Sequence, residues 1–206
     1  MIQQKRSLAT VFALVGGLVL GSIRSHAQTP QKPNGAKEVL ANFEEFSRTR
    51  RGGFPDEVRH PERYTAERVD SVLGGLERIA LSGEPKFVGS TAAASLSRAG
   101  SLKNPPKGAF DRQLRVYGKS KEPLVRLTIL NRMFEQNDRT RSLAFLKSVA
   151  GESTDHQDFE DAALSAVDGL SRMGPAGRAA LIDLRDKKSL RDGKAIGFVN
   201  WFLTQK

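Results

Sequence analysis

The sequence contains no cysteine, and this absence excludes several kinds of site. A chain without thiols cannot form disulfides, thiolate metal sites or a cysteine nucleophile, and it cannot carry a lipid on an N-terminal cysteine. Histidine is also scarce, and His60 and His156 lack the spacing of metal ligands. Hydrophobic residues make up 38% of the chain, too many for full disorder and too few for several membrane spans.

Familiar catalytic patterns are missing as well. The sequence has no G-x-S-x-G, no P-loop and no dinucleotide fingerprint followed by a strand. The adjacent acids Glu44–Glu45 and Asp56–Glu57 would point in divergent directions on a helix, so neither pair predicts an acid/base dyad. We therefore predict no catalytic residue, no metal ligand and no cofactor, and we expect a protein that is not an enzyme.

Residues 1–27 have the pattern of a secretory signal peptide. Two bases precede a charge-free stretch from Leu8 to Ile23, and small residues flank the middle position of residues 25–27, as at a cleavage site. The stretch is shorter than the roughly 20 apolar residues of a spanning helix. We expect cleavage after Ala27 and a periplasmic or secreted protein. An uncleaved signal, which Arg24 near the cut would favour, would leave the protein anchored to a membrane.

The chain after the signal shows helical spacing of apolar residues throughout. Residues 28–37 are rich in proline and polar residues and indicate a flexible linker. Residues 38–64 indicate one N-terminal helix, ending at Arg48, and then an irregular connection. From Thr65, a predicted N-cap, blocks with helical periodicity alternate with glycine and proline stops up to residue 206.

These blocks are arranged in pairs with a regular period. The second helices of successive pairs are predicted to begin near Pro85, Pro123, Asp158 and Leu190, at spacings of 38, 35 and 32 residues. A period in the thirties with two helices in each unit is typical of a helical repeat array. Each pair then leaves an apolar face that only its neighbour can cover.

Two stretches carry a resemblance to a known repeat family. Glu160–Lys188 (EDAALSAVDGLSRMGPAGRAALIDLRDKK) resembles a HEAT-type repeat of the short bacterial kind, and Lys121–Met133 (KEPLVRLTILNRM) is similar to the second helix of such a unit. The resemblance implies an all-α fold, a right-handed α-α superhelix (a HEAT-like solenoid) of about four helix pairs over 65–206. It also implies a surface for protein interaction and carries over no catalytic residue.

Charge is concentrated in the middle of the chain. Residues 98–147 hold twelve bases and four acids, within a protein of net charge +10. Stacked repeats would join these bases into a zone that attracts anionic partners, although such a zone also serves simply as a solubilising surface. The candidate binding residues in it are Arg112, Arg115, Lys119, Lys121, Arg126 and Arg132.

Phe198 and Trp201 are the remaining candidate binding residues. They lie three residues apart beside the apolar stripe of the last helix, so they either widen the face that packs on the preceding repeat or form a docking face.

Three functions are consistent with these features. The first is an exported, non-enzymatic binding or scaffold protein that presents a solenoid surface to another protein or envelope component. The second is binding of a polyanion (acidic polysaccharide, anionic lipid or nucleic acid) through residues 98–147. The third is an enzyme with an unrecognised site. No small-molecule substrate is indicated by the sequence.

Overall fold

The computed structural model describes residues 35–48, 53–82, 86–151 and 162–205. All of them fall within the second of two units of the chain, Pro33–Lys206. The predicted signal peptide, nearly all of the predicted linker, and the helix starts predicted at Pro85 and Asp158 lie outside the described residues.

The all-α prediction is confirmed for the described part of the chain, which contains helices and no strand. The ten α-helices are α1 (Ala36–Arg48), α2 (Asp56–Arg59), α3 (Ala66–Ser82), α4 (Lys86–Gly100), α5 (Ala109–Lys119), α6 (Pro123–Leu130), α7 (Arg139–Gly151), α8 (Ala162–Ser171), α9 (Gly174–Asp186) and α10 (Gly193–Thr204). Short 3-10 turns lie at Pro61–Arg63 and Met133–Glu135. None of the described helices has the length and apolarity needed to cross a membrane.

Several predicted boundaries differ from the structure near the N-terminal end. Helix α1 takes in Ala36 and Lys37, which the sequence predicts to belong to the linker, because the last helix-breaking residues precede them. The connection before residue 65 is partly helical rather than irregular, since Pro55 and Pro61 stand at helix starts, where proline is tolerated. Thr65 does cap α3, accepting a hydrogen bond from the Arg68 backbone N–H at 3.3 Å.

Later boundaries differ for similar reasons. The glycine and apolar patterns predict that one helix ends at Gly118 and that the next runs through Phe134. In the structure α5 continues to Lys119, and α6 ends at Leu130 and is followed by the 3-10 turn at Met133–Glu135. Gly174 and Pro175 predict a break in the chain, but Gly174 opens α9 with Pro175 in the first turn. The last helix begins at Gly193 because the Asp192 side chain caps it, accepting from the Ala195 N–H at 2.7 Å.

Helices that are close in sequence pack on one another. Contacts join α3 to α4, α5 to α6, α7 to α8 and α9 to α10, and the second helix of each pair also contacts the next one: α4 with α6, α6 with α8, α8 with α10. Helix α1 packs on α3 and α4. Helix α4 has a face of small side chains, buried at Ala92, Ser95 and Ala99, and this face lets α3, α5 and α6 pack close to it.

Candidate functional site

Two of the basic candidates on α5, Arg112 and Arg115, are held by acids of α3. Arg112 donates from Nη1 to Glu77 Oε2 and from Nη2 to Asp70 Oδ1, both at 2.7 Å, and Arg115 donates from Nε to Glu77 Oε1 at 2.7 Å. Hydrogen bonds from Arg115 and Arg112 lower the pKa of Glu77 against the opposing effect of its burial. These guanidinium groups therefore join two helices.

The other basic candidates are in different surroundings. The Arg126 guanidinium lies over the Tyr117 ring, 4.7 Å from its centroid, and Arg132 is 3.5 Å from Glu135. Lys119 and Lys121 are exposed and form no ion pair with any described residue. Four of the six predicted binding cations thus have local partners, and the structure does not gather the six into one set of available charges.

The two aromatic candidates on α10 differ in exposure. The Phe198 ring is half-buried and stacks on Phe202 with centroids 6.2 Å apart. Trp201 lies 5.8 Å from the Phe198 centroid, and 59% of its surface is exposed. Arg178 of α9 donates to the Leu203 carbonyl at 2.9 Å and lies over the Phe202 ring, so it fastens the end of α10. Helix α10 is therefore anchored to α9 through Arg178, and its Trp201 indole is exposed to solvent.

A cleft of about 1030 Å³ lies between the start of α3 and the segment that joins α4 to α5. We call it the α3 cleft. Its lining residues are Arg59, Pro61, Glu62, Tyr64, Ala66, Glu67, Val69, Asp70, Leu73, Leu102, Lys103, Asn104, Pro106, Lys107 and Gly108. Val69 and Leu73 belong to the buried core, so the floor of the cleft is continuous with the core of the protein.

Hydrogen bonds at both ends hold the loop wall of the α3 cleft, residues 102–108. The Asn137 N–H donates to the Gly100 carbonyl at 3.1 Å, and the Ala109 N–H donates to Pro106 at 3.1 Å. Beneath Gly100, the buried Gln113 amide donates to Gln136 Oε1 at 2.8 Å, and Gln136 donates to the Ser97 carbonyl at 3.1 Å. This network fixes the end of α4 relative to α5.

Tyr64 supplies an uncharged polar edge to the same cleft. Its hydroxyl donates to Asp56 Oδ2 at 2.7 Å, and this hydrogen bond is the main reason why its pKa is raised to about 12. The ring is therefore neutral at physiological pH. Arg68 lies over its other side, 4.9 Å from the centroid, and donates to the buried Glu57 carboxylate at 2.7 Å.

The α3 cleft is not predictable from the sequence. The prolines of residues 101–108 indicate only a non-helical link, and nothing in the sequence places that link opposite Val69 and Leu73. A proline-rich loop following a predicted helix was the one local signal, and it does not say which helix the loop faces.

No three metal-binding side chains come together within the described ranges. The carboxyl groups of Glu77 and Asp183 have lowered pKa values because cations bond to them, as structural ion pairs do. The chain matches no protein-family model, no curated protein and no solved structure.

Proposed function

We propose that the chain is an exported, non-enzymatic binding protein that presents stacked helix pairs of the HEAT type to another protein of the cell envelope. The proposal joins the signal pattern of residues 1–27 to the period of the helix pairs. The order of helix contacts supports the stacking, because α4, α6, α8 and α10 contact one another in chain order.

The observation that carries the proposal is the exposed indole of Trp201 on the last helix. Helix α10 buries Ala195 and Val199 and leaves 59% of Trp201 and 38% of Ile196 exposed. Tryptophan is the residue type most enriched at the energetic centres of protein interfaces. Lys194, Phe198 and Trp201 lie at i, i+4 and i+7 and so share one helix face.

Charge near α10 defines the partner's chemistry. Lys188 and Arg191 are exposed just before the helix. The nearby acids are engaged: Asp183 pairs with Lys147 and Lys187, and Asp192 caps the helix. The expected partner surface is an apolar pocket with carboxylates beside it.

The polyanion alternative receives less support from the site. Arg112 and Arg115 already bond to Glu77, whose side chain is only 14% exposed. If these arginines turned to a polyanion, the Glu77 carboxylate would be left without a cation partner in a largely buried position, which is costly. We keep the non-enzymatic assignment as part of the proposal, together with export to the periplasm or the medium.

Site-specific photo-crosslinking tests the α10 face. A photoreactive phenylalanine analogue replaces Trp201 in one variant and Phe87 in another, because Phe87 on α4 is equally exposed, at 58% against 59%. We expect one envelope protein to be captured from position 201 only. Excess unmodified protein should prevent capture by competing for the partner. Excess Trp201→Ala protein should not, because we expect its affinity for the partner to be about 30-fold lower. Equal capture from both positions, or none, would refute the proposal.

A further inference from the structure

We propose that the α3 cleft binds a small amphiphile with an apolar tail and an anionic head, such as a long-chain carboxylate. The cleft shares no residue with the α10 face. The inference therefore goes beyond the protein-binding function and does not depend on it.

The size and floor of the cleft suit an apolar tail. Its volume of about 1030 Å³ is at the upper end of the range for small-molecule sites. Val69 and Leu73 line the base of the cleft and are already buried, whereas Leu102 and Pro106 of the opposite wall are only half-buried. A tail lying against Leu102 and Pro106 would bury its own apolar surface and theirs at about 25 cal/mol per Å².

Charge at the rim selects the head group. Lys103 and Lys107 are exposed on the loop wall and form no ion pair with any described residue. The acids of the cleft are mostly engaged elsewhere, because Asp70 binds Arg112 at 2.7 Å and Glu62 lies 4.0 Å from Arg63 Nε. Glu67 alone has no cation partner in the described part of the chain. Lys103 and Lys107, with Arg59 as a third cation of the lining that also donates to the Phe54 carbonyl, outnumber this one acid, so an anionic head is favoured over a cationic one.

The start of α5 adds to the positive potential at the same rim. Gly108 lines the cleft and is the N-cap residue of α5, with a left-handed backbone at φ 76° and no side chain to cap the helix. No side chain accepts a hydrogen bond from the first N–H groups of α5, although Asp111 in the first turn offsets part of the helix dipole. This feature supports the two lysines and does not define the site alone.

Calorimetric titration of the purified protein with three ligands that share one tail tests the head-group preference. The ligands are dodecanoate, dodecan-1-ol and dodecyltrimethylammonium, each below its micelle concentration. We expect dodecanoate to bind about tenfold more tightly than the alcohol, which corresponds to about 1.4 kcal/mol, and the cation to bind most weakly. Added salt should reduce the difference in affinity between dodecanoate and the alcohol, because it screens the attraction between the lysines and the head group. Equal or tighter binding of the cation would overturn the proposal, and so would no binding of any ligand.

Variants locate the site. Replacing both Lys103 and Lys107 with Gln should lower dodecanoate affinity to that of the alcohol. The matched control replaces the exposed Lys119 and Lys121 in the same way and should leave the affinity unchanged. Ala66→Trp, at an exposed cleft position, should fill the cleft and abolish binding of all three ligands while the helical circular dichroism is retained. An equal loss in the control pair, or unchanged binding in both cleft variants, would contradict the assignment.

Vesicle flotation separates the two sources of such a ligand. Binding of free dodecanoate without flotation on phosphatidylglycerol vesicles would identify a free amphiphile. Flotation on phosphatidylglycerol vesicles but not on phosphatidylcholine vesicles, lost in Ala66→Trp, would identify a membrane lipid. Flotation that Ala66→Trp leaves intact would mean that another surface binds the lipid, and it would count against the cleft.

Discussion

Glu77 neutralises the charge of Arg112 and Arg115, two residues that the sequence predicts to bind an anionic partner. Its carboxylate accepts hydrogen bonds from Arg112 and Arg115, and only 14% of its side chain is exposed. Since its pKa in the folded protein is below the ordinary value of 4.5, Glu77 stabilises the fold fully above that pH. The stabilisation is lost as the pH falls through the lowered pKa.

We expect Glu77→Gln to reduce the free energy of unfolding by about 1–2 kcal/mol at pH 7, because charge-assisted hydrogen bonds are lost. The difference from the wild type should shrink as the pH falls below about 4.5. Urea denaturation at a series of pH values measures it. Glu67→Gln is the control, and it should change stability by less than about 0.5 kcal/mol. A difference independent of pH would mean that the Glu77 charge is not the cause.

Helices α8 and α9 approach each other closely at Gly177. A Cβ added at Gly177 in α9 would overlap the Leu170 carbonyl group of α8 and the Met173 side chain. Backbone cannot move aside as a flexible side chain can, so the two helices would have to separate. A Cβ at Gly197 in α10 would meet no atom within 4 Å.

We expect Gly177→Ala to lower the free energy of unfolding by about 1–3 kcal/mol, the usual cost of overpacking. Gly197→Ala should raise it by about 0.5–1 kcal/mol, because alanine loses less backbone entropy in a helix than glycine does. Thermal and urea denaturation of the two variants measure the contrast. If both substitutions stabilised the protein, the conclusion that α8 and α9 leave no room for a Cβ at Gly177 would be wrong.

The proposed stacking makes a prediction for the whole molecule. In a repeat array, stability is a sum of terms between neighbouring units, so damage at one end stays local. Deletion of residues 193–206 removes α10, which contacts α8 and α9. We expect hydrogen exchange to quicken in α8 and α9 while amides of α3, α4 and α6 keep their protection.

Native-state hydrogen exchange with mass spectrometry measures this difference. Trp201→Ala, which keeps α10 and alters an exposed residue, is the control and should leave protection unchanged along the chain. Uniform loss of protection in the deletion variant would indicate a single cooperative body and would contradict the repeat-array proposal.

The helices are predictable from the local spacing of apolar residues along the chain. Apolar residues at helical spacing predicted the all-α class, and most helices lie within a few residues of their predicted bounds. Errors occurred where proline or glycine opens a helix instead of ending it, as at Gly174 and Pro175. The same residue types serve both purposes, and the neighbouring contacts select between them.

The availability of each candidate residue depended on contacts across the fold. Arg112 meets Asp70 across 42 residues of sequence, and Arg115 meets Glu77 across 38. The α3 cleft likewise requires residues 102–108 to face Val69 and Leu73. Helix periodicity is a property of neighbours in the chain, and it states which side of a helix is apolar. Which distant side chain neutralises a cation, or leaves an indole exposed, follows from how the helices pack, and packing depends on the whole chain at once.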